Sequence, residues 1–280
     1  MQLFNALWNR VSLPRYERKP GLVLINGLAE QAETWFRNLP EWRNHFEIFL
    51  PNLLTFEGET LQQRIEQGLP LSVDYLVDQL HLYITTFLQN PPYYLGGSST
   101  GAKVVVEYAA RYPRMVSKLV LIGPSGVATE ERMPIVEGVR RSDARSFVES
   151  VFYDLSQVDP GLIRYYHERL ESRAWKRGML RSIRGTLGHS IRDKMPLIQQ
   201  PTLVMCGRED RIIDPVQAES ACAMLPNGKF VLIPKCGHAP HQEKAQLVNR
   251  EVIRFLKEPL PKLVPEPTPV VEEQVKEQSA

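Results

Sequence analysis

Gly97, Ser98, Ser99, Thr100 and Gly101 form a G-x-S-x-G run between a short apolar segment, Tyr93 to Gly96, and an amphipathic stretch over residues 102–112. That spacing predicts a serine on an abrupt strand-to-helix turn, an arrangement that exposes a hydroxyl nucleophile. Small residues two before and two after the serine are a steric need there. The incoming strand and the outgoing helix lie against each other, and a Cβ at 97 or 101 would clash. Ser98 is the weaker candidate, because its equivalent flanks are Gly96 and Thr100 and only the frame centred on Ser99 has glycine on both sides. The same turn sets the Thr100 N–H at a helix N-terminus, where unpaired donors and the helix dipole favour a developing negative charge. The chemistry implied is attack on an acyl carbonyl, with half of an oxyanion hole built into the motif.

A serine hydroxyl is a poor nucleophile at neutral pH. It needs an imidazole within reach, and that imidazole needs a carboxylate to hold its tautomer. Cys206-Gly207-Arg208-Glu209-Asp210-Arg211 follows one apolar run, and Lys235-Cys236-Gly237-His238 follows another that ends at Pro234. Ser99, Asp210 and His238 therefore all fall in loops after the C-terminal ends of predicted parallel strands, the edge at which open α/β sheets bind ligands. Glu209 and Asp214 compete for the acid role, although Asp214 is placed to cap a helix with Pro215 at its first position. His241 competes for the base role but falls nearer the last predicted helix. His189 reads as a surface histidine, with a substrate contact as the alternative. Cys236 reads as a small packed residue.

These loops need a sheet beneath them. Apolar runs at residues 22–26, 47–51, 93–96, 118–123, 201–207 and 229–233 predict strands, and helical periodicity predicts helices over 72–88 (N-cap Ser72), 102–112, 214–225 and 247–256. The 102–112 helix followed by the 118–123 strand is a βαβ unit with a buried parallel sheet. Residues 30–44 are polar, with Trp35, Phe36 and Trp42 spaced for a helical face or a packed loop. After Gly123 the alternation stops, and residues 125–195 are helical in pattern and rich in arginine. They predict an inserted cap, dividing the chain into a core (1–124 and 196–257) and a helical insertion (125–195). The Pro- and Glu-rich residues 258–280 cannot bury enough surface to fold alone and predict a disordered tail.

Composition narrows the partners. The chain has 280 residues, 43% of them hydrophobic, enough for a substantial core, and a formal charge of +2. That balance, with no basic residues interleaved with aromatics, argues against nucleic acid as a partner. Cys206, Cys222 and Cys236 are too unevenly spaced for a disulfide framework or a zinc pattern, so no metal is expected and a reducing compartment fits. No apolar run reaches signal-peptide or membrane-span length. The expectation is a cytoplasmic protein acting on a small-molecule substrate.

With Gly97-Ser98-Ser99-Thr100-Gly101, Gly207-Arg208-Glu209-Asp210 and Gly237-His238-Ala239-Pro240-His241-Gln242-Glu243 in that order, the chain resembles the α/β-hydrolase fold family over about residues 22–256. The resemblance implies an α/β architecture: a mostly parallel central sheet flanked by helices, with an inserted helical cap. It favours Asp210 as the acid and His238 as the base, with no cofactor. It also implies a second oxyanion donor at the Leu28 N–H, after an Asn26-Gly27 pair that stands where the family carries His-Gly. The loop 52–59, with Phe56-Glu57-Gly58, departs from the family pattern as well.

The activity implied is cleavage of a small or medium apolar carboxylic ester through an acyl-enzyme on Ser99. The lid residues Phe147, Val151, Phe152, Tyr153, Tyr165, Tyr166 and Trp175 are expected over the site, many of them simply packing the cap to the core. Two alternatives stand beside it: C–C bond hydrolysis of a diketo acid with the same triad, and a non-catalytic ligand-binding member of the fold. Arg140, Arg141 and Arg145 are candidate partners for a substrate carboxylate, or simply a solvated face. A serine at the elbow disfavours dehalogenase and epoxide hydrolase chemistry, whose relatives place Asp there.

Overall fold

Strands β1 (Gly21–Ile25), β2 (Glu47–Phe49), β3 (Tyr93–Ser98), β4 (Val116–Ile122), β5 (Thr202–Gly207) and β6 (Gly228–Ile233) build one sheet in the order β2-β1-β3-β4-β5-β6. Every pairing is parallel. This computed structural model describes residues 19–28, 30, 32–53, 59–128 and 134–260. The Phe56-Glu57-Gly58 loop and the greater part of the predicted tail lie outside the described residues.

The strands read as unbroken apolar runs because both faces of the sheet are covered. Alternate residues of β1 show this: Val23 and Ile25 join one buried cluster, and Leu22 and Leu24 join the other. Helices α3 (Val73–Phe87) and α4 (Thr100–Arg111) pack into the first cluster. Trp35, Trp42 and helix α11 (Ala245–Lys257) fill the second. Ser72 caps α3 as predicted, its Oγ accepting from Tyr75 N at 3.2 Å, and Asp214 caps α9 (Pro215–Cys222) by accepting from Val216 N at 2.9 Å. Such caps are worth about 1 kcal/mol each.

Three local features are added to the sequence reading. Residues 30–44 form a 3₁₀ turn (Ala32–Trp35) and a single-turn helix α1 (Leu39–Trp42), whose role is to bury Trp35 and Trp42 completely. A helix α2 (Glu59–Glu66) forms where no apolar stripe announced one; its sequence ETLQQRIE is almost wholly polar. Strand β3 continues past Gly96 to Ser98, because Gly97 and Ser98 still pair with Leu121 and Ile122 of β4. Tertiary pairing overrides the low strand propensity of glycine there.

Between β4 and β5 the described residues are helical: α5 (Pro134–Arg141), α6 (Ala144–Glu149), α7 (Pro160–Glu171) and α8 (Arg173–Thr186). Asp143, Asp159 and Ser172 cap α6, α7 and α8 through side-chain acceptors. The segment joining α6 to α7 comes down onto the loop after β6, where Val151 O accepts from His238 N at 2.8 Å.

Candidate active site

Ser99 sits at φ 49° and ψ −116°, between β3 and α4. A non-glycine residue in that region costs on the order of 1–3 kcal/mol and persists only where its surroundings over-determine it. Here they do. Ser99 N donates to Ile122 O at 2.9 Å, and Ser99 O accepts from Ala102 N at 3.0 Å and Ser125 N at 3.3 Å. The flanking glycines have no freedom to be anything else: a Cβ at 97 would lie 2.5 Å from the Gly101 carbonyl, and one at 101 would lie 2.3 Å from Ile25 O.

His238 Nε2 is 2.9 Å from Ser99 Oγ, and His238 Nδ1 is 2.8 Å from Asp210 Oδ2. The Asp210 side chain is fully buried. Its second oxygen accepts from Ile212 N at 2.8 Å and Ile213 N at 2.9 Å, so both carboxylate oxygens are engaged and the plane facing His238 is fixed. The competing acids have other tasks. Glu209 accepts from Cys236 N at 3.0 Å and ties the loop after β5 to the loop after β6, while Asp214 is occupied by its cap. The two loops cross backbone to backbone, because a Cβ at Gly207 would meet Gly237 O at 2.1 Å.

Leu28 and Thr100 line the same cavity as Ser99 and His238. Thr100 opens α4, so its N–H has no carbonyl one turn back within the helix. The departure at Asn26 has a physical replacement. Asn26 Nδ2 donates to Glu30 O at 2.7 Å and to Gly27 O at 3.2 Å, and Gly27 N donates to Glu30 Oε2 at 2.7 Å. Two side chains thus clamp the turn that carries Leu28.

Helix α10 (Pro240–Glu243) follows His238 and extends its loop's reach in two directions. His241 is completely buried, hydrogen-bonded to Thr34 Oγ1 at 2.9 Å and 3.5 Å from Glu30 Oε1, with its ring tilted against that of Trp35 at 4.7 Å. Burial holds its pKa below the usual 6.5. Gln242 Nε2 donates to the same Thr34 hydroxyl at 2.6 Å. Glu243 points the other way: it accepts from Gly237 N at 2.8 Å, Tyr153 N at 2.9 Å and Asp154 N at 3.1 Å. Burial raises its pKa, and these three N–H groups oppose the rise. Gly237 through Glu243 therefore touches the serine, the Leu28 turn and the cap at once.

The cavity encloses about 480 Å³, in the range of small-molecule sites. Phe147, Val148, Val151, Phe152, Ile212 and Ile213 supply much of its apolar wall, and Tyr165 and Tyr166 also line it. Two of the seven lid residues do not line it, and one of these takes the packing alternative. Tyr153 is 41% exposed and Trp175 is buried in the cap's own packing, and neither lines the cavity. The arginines proposed for a carboxylate also lie elsewhere: Arg141 and Arg145 pair along their own helices with Glu137 and Glu149 at 2.5 and 2.7 Å, and Arg140 is exposed. His189 pairs with Glu107 at 2.8 Å, away from the cavity. Cys236 is wholly buried, and burial pushes its thiol far above the usual range, which keeps it protonated. Among the described residues, no group of three or more His, Cys, Asp or Glu is arranged to hold a metal ion, and no helix is long and apolar enough to cross a membrane.

The family model for the alpha/beta hydrolase fold matches residues 20–245. The chain belongs to this family. Among its relatives, human monoacylglycerol lipase ABHD6 is 22% identical over 262 residues, covering 85% of this chain and 75% of that protein. Carboxylesterase CesB from Bacillus subtilis shares the fold with a TM-score of 0.73 at 18% identity, over 86% of this chain and 85% of that one. A meta-cleavage product hydrolase from Pseudomonas fluorescens IP01 does so with a TM-score of 0.71, also at 18% identity, over 85% and 91%. In this α/β-hydrolase the sequence pattern gave no role to Glu30 or to Glu243, although Glu243 ends the quoted histidine run. Each is one carboxylate among 32 acidic residues, and the contacts of Glu243 with Tyr153 and of Glu30 with His241 join segments distant in the chain.

Proposed function

We propose that this α/β-hydrolase cleaves small or medium apolar carboxylic esters through an acyl-enzyme on Ser99. The observation that carries this reading is the hydrogen-bonded chain Ser99 Oγ, His238, Asp210, with contacts of 2.9 and 2.8 Å beneath an apolar-walled cavity. His238 Nε2 takes the Ser99 proton as Oγ attacks the ester carbonyl, and Asp210 stabilises the imidazolium that forms. The Leu28 and Thr100 N–H groups hold the oxyanion, a contribution typically worth about 10²–10³ in rate per donor. His238 then passes its proton to the departing alcohol. Water, deprotonated by the same imidazole, releases the acid.

One wall residue favours a second reading. Lys103, which donates to Thr186 O at 2.9 Å, lines the cavity one turn beyond Ser99, and a cation there suits a substrate that carries a carboxylate, such as a diketo acid undergoing C–C cleavage. Glu30 on the same wall opposes it. The test is fluorophosphonate labelling of wild type and Ser99→Ala, with turnover of p-nitrophenyl esters of graded length beside a vinylogous diketo acid. Labelling and ester turnover that fall about 10⁴-fold in the alanine variant are expected. Labelling that survives in Ser99→Ala moves the nucleophile elsewhere. No labelling in wild type makes the protein a binding member of the fold, and faster turnover of the diketo acid selects the C–C reaction.

A further inference from the structure

We propose that the outer face of α8 docks the cap onto an anionic lipid membrane, with the protein bound at the bilayer surface. Arg173, Arg177, Arg181 and Arg184 are spaced four, four and three residues apart, so at 100° per residue they form one stripe along the helix, and all of them are exposed. The opposite face buries Trp175, Met179 and Ile183. The helix carries no Asp or Glu at all.

An exposed basic face is ordinarily a solvated one, and what sets this face apart is the absence of counter-charges. Among the described residues none of these arginines forms an ion pair, whereas the neighbouring cap arginines Arg141 and Arg145 each pair with a glutamate one turn away. The nearest acids in sequence form no ion pair with the stripe: Glu171 lies 3.6 Å from His167, and Asp193 pairs with Lys194 at 2.8 Å. A formal charge of only +2 for the whole chain means that the stripe is a local concentration and no reflection of a basic protein.

A lipid surface is favoured over other polyanions by what lies at the end of the stripe. Leu187, directly after α8, is 46% exposed and lines the cavity, as does Phe36 at 49%. Arginines beside exposed apolar side chains at the mouth of an apolar cavity match the two components of an interfacial site, headgroup charge and shallow acyl contact. Single-stranded nucleic acid would instead call for aromatics among the basic residues, and a duplex offers no acyl region for the exposed Leu187 and Phe36 to meet. The helix is also a firm support: a Cβ at Gly185 would lie 2.4 Å from Leu71 O, so the last turn of α8 is pressed onto another backbone segment.

Co-sedimentation of the full chain with vesicles tests this without any activity readout, so its outcome is separate from that of the ester reading. Wild type is expected to sediment with phosphatidylcholine vesicles containing phosphatidylglycerol, not with phosphatidylcholine alone, and to be released by high salt. Replacing all four arginines (Arg173→Gln, Arg177→Gln, Arg181→Gln, Arg184→Gln) removes about fivefold in partitioning per arginine, on the order of a hundredfold or more together. The matching lysine set retains binding, and thermal melting of both sets verifies folding. Equal sedimentation with neutral and anionic vesicles, retained binding by the folded glutamine set, or wild-type binding to a DNA duplex or an acidic protein with none to vesicles would each overturn the proposal.

Discussion

At the C-terminal edge of the sheet, backbone meets backbone. A Cβ at Gly97, Gly101 or Gly207 would lie 2.5, 2.3 or 2.1 Å from main-chain atoms of another turn or strand. Within the helical insertion, contact is mostly between side chains: the Phe147 and Tyr166 rings pack 4.6 Å apart, and Trp175, Met179 and Ile183 seat α8, with Gly185 against Leu71 O as a main-chain exception. The two regions share the cavity but tolerate change differently. Close main-chain approaches have no soft coordinate to relax along, whereas packed side chains can repack at roughly constant volume. On the proposed reading, the edge fixes the positions of Ser99, Asp210 and His238, and the helical insertion shapes the cavity they face.

The sharpest way to break that contrast is a pair of apolar substitutions, one in each region. Gly207→Ala, at the crossing of the loops that carry Asp210 and His238, is expected to destabilise by about 3 kcal/mol or more and to lower kcat by about 10²-fold or more. Phe147→Leu in the cavity wall is expected to cost less, about 1–2 kcal/mol, and to move the preferred acyl length while leaving kcat on the best ester nearly unchanged. Urea unfolding and a graded ester series measure both. A cap variant as damaging to kcat as the glycine variant would erase the distinction.

A smaller effect is expected where the regions join. Glu243 accepts three N–H groups, and an amide offers one oxygen, so Glu243→Gln leaves at least one buried donor at Gly237, Tyr153 or Asp154 unsatisfied. Each such orphan costs about 1–3 kcal/mol. Because Gly237 adjoins His238 and Tyr153 adjoins Phe152, kcat should fall about tenfold and the acyl-length profile should shift together. A loss of melting temperature with neither kinetic change would show that cap and histidine are held independently.

The smallest effect concerns pH. His241 is buried with its pKa held below 6.5, so between 6.5 and that lower value the unfolded chain takes up a proton that the folded chain refuses. Stability therefore falls as pH drops below 6.5. His241→Asn removes this proton uptake, and its melting temperature should decline less steeply than that of wild type over the same acidic interval. Parallel slopes would exclude His241 as a contributor.

The same contrast explains what was legible in the sequence. Main-chain crossings demand glycine, and helix starts demand Ser, Asp or Pro, so the elbow, the strands around it and the caps Ser72 and Asp214 can be read directly. The order of Ser99, Asp210 and His238 along the chain completes that part of the pattern. Side-chain packing leaves no such mark. An aromatic such as Trp175 reads as buried but not against what, so cavity wall and packing of the insertion stay open in the sequence, and the structure places it in the packing. Helix α2 lacked an apolar stripe to announce it. Thr34 and His241 meet across 207 residues of chain, a distance over which local pattern carries no information.

The heptapeptide from Gly237 to Glu243 makes its contacts through successive residues on both sides of a single turn of helix. Adding or deleting one residue within it would rotate and advance every later side chain, taking His241 out of register with Thr34 and Glu243 out of register with Tyr153 in the same stroke. Individual side chains along this stretch can be exchanged at graded cost, but its length is a quantity with one permitted value.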